Sequence, residues 1–116
     1  MARTEAVFDA LGDPTRRHIV LSLARRSASA TALAAELPIS RQAVAKHLVS
    51  LRDAELVVAE RVGRETLYTL DPRPLAEAAR WIERVGEEWD RRLASLRGVL
   101  DKPGDEPGLN RPSPNI

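Results

Sequence analysis

The sequence predicts a mainly α fold carrying one small β-hairpin. Three observations carry that reading. Apolar residues recur at spacings of three and four through most of the chain, which is the helical period. Two short runs near the middle change to β-branched and aromatic residues around a glycine. Asp-Pro, Ser and Gly stand where helices would start and stop. At 116 residues the chain is one domain with a modest core. Aromatics are only 3%, so Leu, Val, Ile and Ala must build that core. Cysteine is absent, which rules out disulfides and thiolate metal sites. No apolar run is long enough for a bilayer and no signal peptide opens the chain, so the expected compartment is the cytoplasm.

Residues 4–11 (TEAVFDAL) read as a short helix with Val7, Phe8 and Leu11 on one side and Gly12 as its stop. Asp13 then caps a second helix with Pro14 at its first position. That helix reaches about Ala24 and turns Ile19, Val20 and Leu23 inward, with Leu21 beside them. Arg16 and Arg17 occupy its first turn, where the helix dipole prefers acids. They point either to an external anion such as a phosphate or to a plain solvated pair. Residues 25–30 form a small-residue loop.

The next two segments organise the rest. Residues 31–37 (TALAAEL) form a short helix with Leu33 and Leu37 inward, and Pro38-Ile39 makes a sharp turn. Ser40 caps the following helix, whose inward stripe is Val44, Leu48 and Leu51. At roughly 100° per residue, Gln42, Lys46 and Val49 point the opposite way, with Ala45 beside them and Arg41 at the flank. A short polar, basic face with a small residue near the helix N-terminus suits entry into a DNA major groove. Helix, short turn and capped helix make a helix-turn-helix, a pattern that ordinary helical hairpins share.

The chain beyond Leu56 separates the two. Residues 57–61 and 65–70 (ETLYTL) are strand-like, with Val62-Gly63-Arg64 between them. A hairpin directly after such a helix is the wing of a winged helix. Arg61 and Arg64 flank its tip, within reach of phosphates or a minor groove, although arginines there also protect edges. Tyr68 and Leu70 are expected to turn inward. Asp71-Pro72-Arg73-Pro74 ends the strand and starts a final helix to about Leu100. Its apolar stripe is Leu75, Ala78, Ala79, Ile82, Val85, Trp89, Leu93, Leu96 and Leu100, with Trp81 off it. A stripe longer than this domain can cover argues for a second copy. Residues 102–116 (KPGDEPGLNRPSPNI) read as a disordered tail, which leaves 1–101 as the folded domain.

Charge adds little, because the net charge is +1. Residues 1–70 hold ten Lys and Arg against eight Asp and Glu, so a basic patch must come from geometry.

With these elements in order, the chain resembles the ArsR family of dimeric winged-helix repressors over about residues 4–100. The pieces that carry the resemblance are ALGDPTRRHIVLSL, ISRQAVAKHLVSLRDAELV and GRETLYTLD. WIERVGEEWDRRL is similar to the branch with two tryptophans in the last helix, whose members often regulate their own operon beside a small lipid-binding-type protein. The resemblance implies a homodimer binding double-stranded DNA at an inverted repeat, released by a small-molecule or protein inducer. Base edges fall to Arg41, Gln42 and Lys46 beside Ala45, and the DNA backbone to Ser40, Arg16, Arg61 and Arg64. Dimerisation falls to Val7, Leu11, Leu75, Ile82, Val85, Trp89, Leu93 and Leu96.

Two departures from the family pattern matter. Metal-sensing members carry a Cys-x-Cys pair before the turn or Asp/His clusters on the last helix. Here the first place reads TALAAEL and the second has Glu83, Glu87, Glu88 and Asp90 without histidine, so no metal and no cofactor is expected. Glu55 stands where the family usually has a helix-ending Gly, at a cost of ~1 kcal/mol. His18 and His47 have no ligand spacing and read as packing or phosphate contacts. No phosphate loop or nucleophile motif appears, which argues against an enzyme. Two rival readings remain open: a winged protein-interaction module without specific DNA binding, and a ligand-responsive regulator of the MarR kind. The basic face from Arg41 to Lys46 weighs against the first, and chain length against the second.

Overall fold

Asp13 shows how closely the helix signals are obeyed. Its carboxylate accepts the backbone N–H of Arg16 at 2.9 Å and, with Pro14 at the first helical position, starts a helix where the sequence marks one. The computed structural model describes residues 2–100, in the order α1 (Ala2–Ala10), α2 (Pro14–Arg25), β1 (Ala28–Ser29), α3 (Ala30–Glu36), α4 (Arg41–Asp53), β2 (Val57–Val62), β3 (Glu65–Leu70) and α5 (Arg73–Leu100). The expected disordered tail lies outside the described residues. By its internal contacts the chain divides into Met1–Arg80 and Trp81–Ile116.

In the first unit, Val7, Ile19, Leu23, Leu33, Val44, Leu48, Leu51, Leu56 and Val57 form one buried cluster, which also takes in Ala78 from the start of α5. Tyr68 and Leu70 pack against it, as their alternation with exposed Thr69 requires. The stripes of α2, α3 and α4 therefore face one another as expected. Leu21 does not join them: it is 59% exposed, because it lies on the far flank of α2 from Ile19 and Leu23. Val7 departs from expectation in the opposite direction. Expected on a dimerisation surface, it has no exposed area and belongs to its own subunit's core. Leu11 and Leu75 are half-buried against the same core.

The sheet has one more strand than the sequence suggested. Two residues of the supposed loop, Ala28 and Ser29, form β1 and pair antiparallel with Tyr68 and Leu67 of β3, giving the order β1-β3-β2. Two residues are too few to carry a readable alternation, so tertiary pairing alone creates this strand. The hairpin itself is tighter than expected. Val62 pairs with Glu65, so the loop is Gly63-Arg64, with Gly63 at φ 64°, the glycine-first pattern of a type II′ turn.

The end of α4 keeps its cap despite the missing glycine. Leu56 N–H donates to the Leu51 carbonyl and Glu55 N–H to the Arg52 carbonyl, both at 2.9 Å, the paired bonds of a Schellman motif. Glu55 meets the requirement by adopting φ 62° itself. That left-handed backbone costs about 1 kcal/mol for a residue with a Cβ, partly offset by the ion pair from Glu55 to Arg3 at 3.4 Å.

Candidate nucleic-acid interface

Recognition begins with how α4 presents its outer side. Ser40 caps the helix, its hydroxyl accepting the Ala43 N–H at 3.1 Å. Val44, Leu48 and Leu51 fix the inner side with no more than 1% exposure each. Arg41, Gln42, Ala45, Lys46 and Val49 are consequently all exposed on the outside. Among the described residues Gln42 and Lys46 meet no protein partner, so their donors and acceptors are open to water or a ligand. Arg41 is held in place, since its Nε donates to Thr31 Oγ1 at 2.9 Å in the first turn of α3.

The wing closes one side of this surface. Arg61 lies in register with Thr66, on the same sheet face as Ala59 and Tyr68, which looks towards the helices. Its Nε donates to the Gly63 carbonyl at 3.1 Å, which stiffens the tip. Arg41, Ala45, Arg61 and Arg64 line a single open groove of about 410 Å³, floored by Thr31 and Tyr68. Four of the expected DNA-facing residues, distant in sequence, therefore share one concave surface. Three are cations against the one carboxylate of Glu65 in the same wall. Ser40, Gln42 and Lys46 sit outside the groove on the adjoining exposed face of α4. Thr31 was missed by sequence reasoning. Its signal was a hydroxyl in the first turn of the helix preceding the recognition helix, ten residues before Arg41.

Arg16 is not part of this surface. Its Nε donates to the Ala10 carbonyl at 2.6 Å and its Nη2 to the Asp9 carbonyl at 3.3 Å. Arg17 likewise donates to the Leu11 carbonyl at 2.7 Å. Both arginines satisfy the orphan carbonyls at the C-terminal end of α1, which explains cations in the first turn of α2 without an external anion. The expected contact of Arg16 with a DNA backbone is therefore withdrawn. His47 lies against Asp13 and Arg16 rather than towards the groove. Among the described residues no cluster of three His, Cys, Asp or Glu side chains has metal-binding geometry, and no helix is long and apolar enough to cross a membrane.

A buried helical core, a capped reading helix with an exposed basic face and a wing turned to the same side define the winged helix-turn-helix class of DNA-binding regulators. Comparison with known proteins narrows the class. A helix-turn-helix domain family matches residues 11–60. The chain is 37% identical over 102 residues to the HTH-type transcriptional regulator Rv2034 of Mycobacterium tuberculosis, covering 88% of this chain and 92% of that protein. It is 33% identical over 76 residues to the transcriptional repressor SdpR of Bacillus subtilis, covering 66% and 84%. Among solved structures, an ArsR-like transcriptional regulator from Rhodococcus sp. RHA1 matches with a TM-score of 0.78 at 46% identity, over 87% of this chain and 95% of that one. The chain belongs to the ArsR family of winged helix-turn-helix transcriptional regulators, and it binds DNA to regulate transcription.

Proposed function

We propose that the protein is a homodimeric repressor of an inverted-repeat operator, which includes the DNA upstream of its own gene. Two copies of α4 enter successive major grooves roughly one helical turn apart. Arg41, Gln42 and Lys46 contact base edges, Ala45 allows the close approach, and Ser40, Arg61 and Arg64 contact the backbone. The observation that carries this reading is the grouping of Arg41, Ala45, Arg61 and Arg64 around one groove, continuous with an exposed polar face of α4. Ile82, Val85, Trp89 and Leu96 support the dimer, because they stand between 48% and 56% exposed along one side of α5. Leu93 belongs to the same stripe, and Leu11 and Leu75 add what surface their half-burial leaves. An inducer that favours a dimer with the wrong separation between reading heads releases the DNA. No resident metal is assigned to this cycle.

Titration of a labelled upstream fragment against random DNA across salt concentrations tests the reading. A preference of ~10³ or more at two subunits per site is the expected result. Binding that ignores sequence and falls steeply with salt leaves only phosphate electrostatics and sinks it.

A further inference from the structure

Three helices meet at one guanidinium. Arg16, in the first turn of α2, donates Nε–H and Nη2–H to the carbonyls of Ala10 and Asp9 at the end of α1. Its Nη1 lies 3.5 Å from Nδ1 of His47, on the flank of α4 next to Lys46. The Arg16 backbone N–H is itself fixed by the Asp13 carboxylate at 2.9 Å, and that carboxylate lies 3.9 Å from the same imidazole nitrogen. In the tautomer that carries its proton on Nε2, the Nδ1 of His47 is an acceptor for the Arg16 guanidinium. The backbone N–H of Arg16 holds the Asp13 carboxyl below the usual carboxylate range, which keeps it charged beside the cluster.

We propose that Arg16 is a positioning residue that sets the recognition helix against α1 and α2, acting through His47. The need for such a contact arises from the way α4 is otherwise held. Val44, Leu48 and Leu51 bury it by apolar contact, which is strong but non-directional. A charged, planar donor fork is directional. It reaches α4 one residue from Lys46, so it governs where the reading side chains point relative to the rest of the subunit. In a dimer, the same angle sets the separation of the two reading heads.

That last step rests on the dimeric DNA-reading proposed above, and the test separates the two. Affinity is measured against inverted repeats whose half-sites are moved apart or together one base pair at a time, each step being about 3.4 Å along the duplex. Thermal melts of each variant accompany the titrations. The wild type shows one preferred spacing, with a loss of about tenfold for one base pair of error, comparable with one mismatched pair. In Arg16→Met and His47→Leu that penalty shrinks severalfold, while His47→Gln, which keeps an acceptor for Arg16, restores it. If the variants melt earlier or bind uniformly more weakly yet keep the wild-type spacing penalty, Arg16 is only a structural cap and the proposal is overturned. A wild type with no preferred spacing overturns the dimeric reading as well.

Discussion

The two parts of this chain treat their apolar residues in opposite ways. Up to Arg80, the main stripes of α2, α3 and α4 find partners in the same subunit, and Val7, Ile19, Leu33, Val44, Leu51 and Leu56 have no exposed area at all. From Trp81 to Gly98 the same period continues, yet only Leu93 is even half-buried. Both segments use Leu, Val and Ile at spacings of three and four. The difference is therefore one of burial: the first part covers its stripes within the subunit, and the second leaves exposed the stripe that the dimer proposed above would cover. A third surface, the outer side of α4, is left open in polar rather than apolar form.

The strongest way to break this contrast is to remove one large apolar side chain from each part. Leu51→Ala leaves a cavity among fully buried neighbours and should cost ~2–5 kcal/mol of stability in a denaturant titration. Trp89→Ala should leave residues 2–80 folded and instead weaken self-association by about 2 kcal/mol or more, read by sedimentation over a range of concentrations. If Trp89→Ala unfolds the chain at high dilution while leaving the association constant intact, α5 serves its own subunit and the contrast fails.

How much of this was legible beforehand depends on which kind of residue carries the information. The stripes of α2, α3 and α4, the Asp13 and Ser40 caps and the Gly63 turn are written in local spacing, and each stands where the sequence places it. β1 was illegible because two residues have no period; it exists only through pairing with β3. The partners of Arg16 and Arg17 were illegible for a related reason. Their partners are backbone carbonyls six residues earlier, and a carbonyl leaves no mark in a sequence. Val7 was assigned outward because helical spacing identifies an apolar face without saying which neighbour covers it. Along the candidate interface, the exposed face of α4 was legible and the tether from Arg41 to Thr31 was not.

The arginines sharpen the comparison further, because some are spent inside the fold and others are not. Arg41→Ala should cost ~1–3 kcal/mol of operator affinity and relax preference at one base position, measured by selection from randomised half-sites. A uniform loss over all sequences would reassign Arg41 to a phosphate. Stability should hardly change, since its contact to Thr31 is exposed.

Glu55 tests whether the first part is as well completed as its burial suggests. Its φ of 62° is a conformation that glycine adopts freely and glutamate does not. Glu55→Gly should therefore raise stability, by up to about 1 kcal/mol, reduced by the lost ion pair to Arg3 and the looser unfolded chain. A lower melting temperature would mean that the contact between Glu55 and Arg3 outweighs the backbone strain.

The smallest effect is expected where β3 gives way to α5. The Asp71 carboxylate accepts both the side chain and the backbone N–H of Arg73, and these bonds lower its pKa from 3.8 to about 2. Since the folded group titrates below the unfolded one, the native state binds fewer protons across that window. The stabilisation is complete above the ordinary carboxylate value and disappears as pH falls towards about 2. Asp71→Asn should accordingly flatten the acid limb of the stability curve between those two values and leave its slope near neutrality unchanged. An unchanged acid limb would mean that solvent screens this surface pair so fully that the turn into α5 is held by its backbone alone, through the bond from Asp71 N–H to the Leu56 carbonyl at 2.8 Å.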